Sequence, residues 1–144
     1  MADLWHRAWQ GAHARLVPPD LLAHRGEDHF RRLTRTRLGA MRVGVLDGRV
    51  AGFAVWTLGY LDLLFVHPAA QGRGVGSALL ARAEREMAAA GIALASLDCV
   101  QGNTRAARFY ESRGWTFVEE GFETVETPDA VYELPSLVFK KALV

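Results

Sequence analysis

Cysteine is almost missing from this chain, and lysine is missing until Lys140. The single thiol, Cys99, excludes an intramolecular disulfide, and no Cys/His cluster has the spacing of a zinc or iron–sulfur site. Charge of one sign does not prevail either. The 17 Lys and Arg stand against 16 Asp and Glu, a balance that argues against a nucleic-acid binder of the purely electrostatic kind. No apolar run approaches the length of a membrane span, and the first twenty residues carry Asp3, His6, Arg7, His13 and Arg15, which leaves no signal-peptide core. These absences predict a cytoplasmic protein in a reducing compartment, with no metal, no nucleic acid and no membrane among its partners. There is no repeat, linker or low-complexity segment. The 144 residues read as one domain, 1–144, long enough to bury roughly two thirds of the surface its unfolded chain exposes.

Glycine, by contrast, is plentiful, and its densest cluster is Gln71-Gly72-Arg73-Gly74-Val75-Gly76. An apolar run, 61–66, closed by His67-Pro68, comes before it, and a helical pattern opening at Ser77 comes after. That order is strand, glycine turn, helix. Glycines at alternate positions let backbone approach a ligand without Cβ obstruction, and the free N–H groups of a helix start make a seat for an anion, so the ligand should carry phosphate. A P-loop needs Gly-Lys-Ser/Thr, which a chain without lysine here cannot supply. A dinucleotide fingerprint needs Gly-x-Gly-x-x-Gly, and glycines at 72, 74 and 76 fail at its last position. The pattern that fits is Gln/Arg-x-x-Gly-x-Gly/Ala, with Gln71, Gly74 and Gly76 in place. The competing reading of the loop alone is a strand-to-helix turn with no ligand.

Around this loop the chain alternates helices and strands. Leu4, Trp5, Ala8, Trp9, Ala12 and Leu16 recur at helical spacing up to Pro18-Pro19, and a second, arginine-rich helical stretch over 20–38 breaks near Gly26. Strands 41–46 and 50–58 flank Asp47-Gly48, the signal for a tight hairpin. Segment 60–66 is apolar almost throughout, as a strand buried on both faces is, and is the central strand. Val75, Leu79, Ala83 and Met87 line one face of the next helix, which Gly91 stops, and strand 92–100 should run parallel to the central one. Strands 115–122 and 136–143 close the chain, with Thr127-Pro128-Asp129 in a long connection. Eight arginines lie between Arg7 and Arg42, whereas Glu119, Glu120, Glu123, Glu126, Asp129 and Glu133 occupy a stretch with no Lys or Arg; solvated faces account for most such runs.

The helix from Asn103 to Arg113 is the second informative stretch. At about 100° per residue, Asn103, Ala106, Ala107 and Tyr110 share a narrow face, a shallow groove between an amide and a phenol where a packing face would carry Leu or Ile. The alternative is an N-capping Asn and a Tyr anchored by its hydroxyl.

Gln71 to Gly76, together with Asn103-x-x-Ala106-x-x-Phe109-Tyr110-Glu111-x-x-Gly114-Trp115, resembles the two cofactor motifs of the GNAT superfamily of N-acetyltransferases, and the resemblance extends over almost the whole chain. It implies an α/β fold with a central mixed, splayed β-sheet flanked by helices. The family's usual first strand is absent here. Either the recorded start lies downstream of the true one, or strand 41–46 is a sheet edge to be covered or paired with a second subunit, which makes a homodimer an open expectation. The cosubstrate implied is acetyl-CoA. Its pantetheine arm would bond the backbone of Leu64, Phe65 and Val66, and its pyrophosphate would sit on the amides of Gly72, Arg73, Gly74, Val75, Gly76 and Ser77. Asn103, Ala107 and Tyr110 would border it from the helix.

The reaction implied is direct attack of an amine on a thioester, which calls for one general base and one general acid. Tyr110 matches the family's acid position. A backbone N–H near Val66 would stabilise the oxyanion. For the base, Asp98 stands where ribosomal-protein N-acetyltransferases place a glutamate, and Asp62 projects from the central strand; a relayed water is the third choice. The acidic stretch falls where the family borders its acceptor cleft, which suggests a cationic amine: a polyamine, an aminoglycoside, a lysine side chain or a protein N-terminus. Cys99 has no histidine near it in sequence and reads as a small core residue, and His67 as a turn residue. The rival from another class is a binding module that holds acyl-CoA without transfer. A weaker one, resting on the arginines of 25–42, is a DNA-binding regulator.

Overall fold

The computed structural model describes residues 1–143. In chain order the elements are α1 (Ala2–His13), α2 (Pro19–Ala23), α3 (Glu27–Arg37), β1 (Arg42–Leu46), β2 (Arg49–Thr57), β3 (Tyr60–Val66), α4 (Val75–Ala89), β4 (Leu94–Val100), α5 (Thr104–Ser112), β5 (Thr116–Glu126) and β6 (Val131–Ala142). The strands form one sheet in the order β1-β2-β3-β4-β6-β5, with β3 and β4 its parallel pair and the other neighbours antiparallel. This is the mixed sheet flanked by helices that the sequence leads one to expect, with helices preceding its first strand and β1 at an edge. No helix among the described residues is long and apolar enough to cross a membrane.

Each face of the sheet carries its own core. On one face Trp5 of α1 meets Phe30 of α3 and the strand residues Phe53 and Phe65, with ring centroids 5.6, 5.2 and 6.4 Å away. Such aromatic pairs add about 0.5–1.5 kcal/mol each beyond the area they bury. On the other, Leu80, Ala83 and Met87 of α4 pack with Leu97, Tyr110, Trp115 and Phe139. The hairpin between β1 and β2 turns on Asp47 and Gly48, both at positive φ (53° and 75°), as the dipeptide foretells.

One expectation needs correction. The segment between 122 and 136 is not a long connection, and Glu123, Glu126 and Glu133 lie in strands: β5 and β6 pair from Thr116↔Lys140 to Glu126↔Val131. The turn between them is closed within 127–130, where Thr127 Oγ1 accepts the N–H of Ala130 at 3.1 Å. Phe122, Thr124 and Val125 favour a strand, a signal that the surrounding glutamates obscure. The break expected near Gly26 is there, with His24, Arg25 and Gly26 between α2 and α3.

The seating of α4 depends on a glycine pair. Gly44 and Gly52 face each other across β1 and β2. A Cβ on Gly52 would lie 2.8 Å from the Phe65 carbonyl oxygen and 3.0 Å from Val75 Cγ1, and one on Gly44 would lie 2.8 Å from the same Val75 atom. The bare backbone lets the first turn of α4 lie flat on the sheet. Gly52→Ala should therefore destabilise the fold by about 1–3 kcal/mol, the usual cost of forced overpacking. Denaturant unfolding checks this, and an unchanged midpoint contradicts it.

Candidate active site

The sheet opens between its two parallel strands. β3 and β4 pair only at Tyr60↔Ser96 and Leu61↔Leu97. On its other side β3 stays joined to β2, but Val55 is opposite Leu63 and Trp56 opposite Leu61, so Asp62 is an extra residue in a bulge. A bulge bends its strand and re-aims the side chains beside it, and past this one β3 leaves β4. A cleft of about 1180 Å³ fills the gap and is bordered by both helical faces.

The gap leaves backbone unpaired on β3. The His67 N–H is bonded to the Ala51 carbonyl of the β2 side at 2.7 Å. Strand alternation then turns the N–H groups of Phe65 toward β2 and those of Leu64 and Val66 toward the cleft. Phe65 thus meets the cleft with its ring rather than its backbone, which narrows the expectation for the three residues to Leu64 and Val66. The Val66 carbonyl accepts from Gln71 Nε2 at 3.4 Å, which ties the glycine loop to the strand end.

At the loop, Gly72 and Gly74 hold positive φ (80° and 88°), and Gly74 is the residue before α4. Its carbonyl takes the first helical bond, from Ala78 N–H at 3.0 Å, so the N–H groups of Val75, Gly76 and Ser77 have no partner within the helix. All three residues border the cleft, with Gln71, Gly72 and Gly74. Arg113, after α5, adds positive charge at this end: it donates to Ser77 Oγ at 2.5 Å and lies over the Phe109 ring at 5.7 Å, and Arg105 also lines the cleft. The free amides, the empty space around Gly72 and Gly74, and the unpaired edge of β3 fit the phosphates and the amide-bearing arm of coenzyme A.

The Arg73 side chain pairs with Asp47 at 3.3 Å. Ala106 and Ala107 both pack against the core on this face, and Ala106 also borders the cleft. Asn103 caps α5, its Oδ1 accepting from Ala106 N–H at 3.3 Å, while still bordering the cleft. Tyr110 borders it too. Only 9% of Tyr110 is exposed, and burial, then the neighbouring Cys99, raises its phenol well above the usual range, so the hydroxyl is held as a donor. Its ring is fixed against Phe109 and Trp115.

The opposite end of the cleft is acidic. Asp98 accepts from the Tyr60 hydroxyl at 2.8 Å, and Asp62 is paired with Arg37 of α3. Glu123 of β5 joins them, and burial, followed by the charges of Asp98 and Asp62, pushes its carboxyl up to about 7. The two histidines nearby are held neutral. His29 is pushed down to about 4 by burial and by Arg25 and Arg32, and burial alone lowers His13 to about 4. Arg25 is buried and donates to the Glu126 carbonyl at 3.2 Å. Cys99 is buried, and its thiol is raised to about 11, consistent with a core residue. His67 accepts the Ala69 N–H at 3.0 Å and serves the turn. No group of three metal-ligating side chains comes together among the described residues.

Tyr60 and Glu123 escaped the sequence reading as individual residues. Glu123 stood only within an acidic stretch, and nothing in the spacing joins it to Asp98 until β5 is seen to be a strand.

The model of the acetyltransferase (GNAT) family matches residues 1–115, which ends before β5 and β6. The chain belongs to this family of acyl-CoA-dependent N-acetyltransferases. Among solved structures it is similar to the GCN5-related N-acetyltransferase of Rhodopseudomonas palustris, at 23% identity and TM-score 0.74, covering 98% of this chain and 86% of that one. A putative acetyltransferase of Salmonella typhimurium, solved with acetyl-CoA, matches at 20% identity and TM-score 0.68 over 99% and 86% of the two chains. The ribosomal-protein-S18-alanine N-acetyltransferase of Escherichia coli matches at 21% and 0.63 over 99% and 87%. At these identities the likeness speaks for the fold.

The loop geometry carries a direct test. Gly74→Val places a branched side chain at φ 88° and in the open space beside the free amides. Acetyl-CoA binding by calorimetry should fall at least tenfold while helix content is kept, and an unchanged affinity would remove the loop from the site.

Proposed function

We propose that the protein transfers the acetyl group of acetyl-CoA directly to the primary amine of a cationic acceptor: a polyamine, an aminoglycoside, a lysine side chain or a protein N-terminus. The observation that carries this reading is the division of charge along one cleft. Free helix amides with Arg113 lie at one end, and Asp62, Asp98 and Glu123 come together at the other, with the buried phenol of Tyr110 in the wall. A phosphate-bearing donor and an ammonium-bearing acceptor would enter from opposite ends, each drawn by its own field.

In this reading Leu64 and Val66 hold the donor's amide arm, and the Val66 N–H lies where it can stabilise the oxyanion formed on attack. Tyr110 gives its proton to the leaving sulfur, a role consistent with a phenol kept protonated by burial. Cys99 takes no part, since its thiol stays protonated near neutrality.

A panel of amines assayed by thiol release should find cationic amines turned over and neutral or acidic ones, such as free amino acids, poor. Turnover of neutral or acidic amines alone would refute the acceptor class. Tyr110→Phe keeps the ring and its packing but loses the donor. Its kcat should drop by about 10²–10⁴-fold with acetyl-CoA affinity little changed. Near-full turnover in that variant, under conditions where chemistry limits the rate, would take the acid role from Tyr110.

A further inference from the structure

The β5–β6 hairpin runs on past the end of β4. Val100, the last β4 residue, pairs with Ser136 of β6, and Ser136 with Gly121 of β5; the hairpin then continues to Glu126 and Val131. Period two along β6 puts Val138, Ser136 and Leu134 on one face, together with Asp98, the partner of Val138, and Glu123, the partner of Leu134. The overrunning hairpin thereby brings a β5 carboxylate to the face of the cleft that Asp98 already occupies.

The three carboxylates there are not equivalent. Asp98 is engaged by the Tyr60 hydroxyl and Asp62 by the Arg37 guanidinium. Glu123 is half-buried and has neither a hydrogen bond nor an ion pair from its side chain among the described residues. We propose that Glu123 is the general base of the acetyl transfer, taking a proton from the acceptor's ammonium group while Asp98 and Asp62 hold its positive charge. The proposal rests on the reading of the protein as an N-acetyltransferase of cationic amines.

The protons and bonds balance as follows. The ammonium gives one proton to the Glu123 carboxylate, the freed amine nitrogen forms a bond to the thioester carbonyl carbon, and the carbon–sulfur bond breaks. The sulfur takes the Tyr110 proton to leave as a thiol. The second proton shed by nitrogen restores the phenol, and Glu123 returns its proton to solvent.

The ionisable groups that interact with Glu123 are Tyr60 and Asp62 from β3 and Asp98 and Cys99 from β4, with the Arg37 guanidinium of α3 on Asp62; Arg25 and His29 from the helical side and Glu126 line the same cleft. Arg25 keeps its charge while donating to the Glu126 carbonyl, and His29 is neutral above about pH 4. The dominant influences on Glu123 are burial and its two like-charged neighbours, which give it a value of about 7, suited to a base working near neutrality. The sign for stability follows. The folded chain keeps a proton on Glu123 up to about pH 7, whereas an unperturbed glutamate has lost it above its ordinary value of 4.5, so this residue's contribution to stability falls as pH rises through that window.

The test compares pH–rate profiles of the wild type, Glu123→Gln and Asp98→Asn with the best amine of the panel, alongside acetyl-CoA calorimetry and thermal melts at pH 8. Wild-type kcat/KM should rise along an acidic limb centred near 7. Glu123→Gln should lose that limb and about 10²–10⁴-fold in rate. It should bind acetyl-CoA normally and melt no lower than the wild type at pH 8, because it no longer buries a charge. Asp98→Asn removes a like charge, so it should keep the limb and move it to lower pH. A Glu123→Gln enzyme that retains the limb, or an Asp98→Asn enzyme that loses it, overturns the proposal. A carbon-13 titration of the wild-type glutamates adds an arm independent of the variants, and an ordinary value for Glu123 there would also overturn it. Were neutral amines alone turned over, the acceptor class would fall, and the same limb comparison would still judge Glu123, because the attacking nitrogen sheds a proton in either case.

Discussion

The separation of β3 from β4 is the constraint on which the rest depends. Parallel neighbours normally satisfy each other's backbone along their whole length, and a buried N–H without a partner costs about 1–3 kcal/mol. Here the pairing stops after Leu61↔Leu97, just where Asp62 is inserted as a bulge. The chain accepts an open seam through the middle of its sheet, and the cores on the two faces must each hold without it. The aromatic cluster around Trp5 secures one side, and the packing of α4 on β1, β2 and β3, allowed by Gly44 and Gly52, secures the other. What the seam leaves unpaired is a row of backbone groups that a ligand bearing amides can complete.

The seam also separates two electrostatic environments. The glycine loop and the α5 arginines border it on the side of α4 and α5, and the carboxylates of β3, β4 and β5 border it on the side of α1 and α3. On the proposed function, a single channel through the sheet would bring two charged substrates together while keeping each from the other's binding region. Burial then tunes the groups in the wall in opposite directions. It holds Tyr110 protonated and keeps His13 and His29 neutral, so the acidic end is not cancelled by histidine charge.

Much of this was legible in the sequence because it rests on local rules. Asp47-Gly48 demands positive φ at both positions and made its hairpin; the apolar run before Gln71 and the alternate glycines after it made the strand, loop and helix start. Tyr110 could be placed in the wall because helical spacing from Asn103 is fixed by geometry. Properties that depend on pairing between distant strands were not legible. No residue type announces that Asp62 is an inserted residue, since only the register against Val55 and Trp56 shows it. Charge hid the length of β5, and with it the position of Glu123. Its partner Leu134 on β6 fixes where that side chain stands, and both fall after Trp115, where the family match ends.

Amide hydrogen exchange, with and without acetyl-CoA, reads the central claim most directly. If the open edge of β3 and the start of α4 are the donor's seat, acetyl-CoA should slow exchange at Leu64 and Val66 and at Val75, Gly76 and Ser77. Phe65, already bonded to β2, should change little. Protection that appears elsewhere, or that leaves Leu64 and Val66 exchanging as in the free protein, would contradict the account.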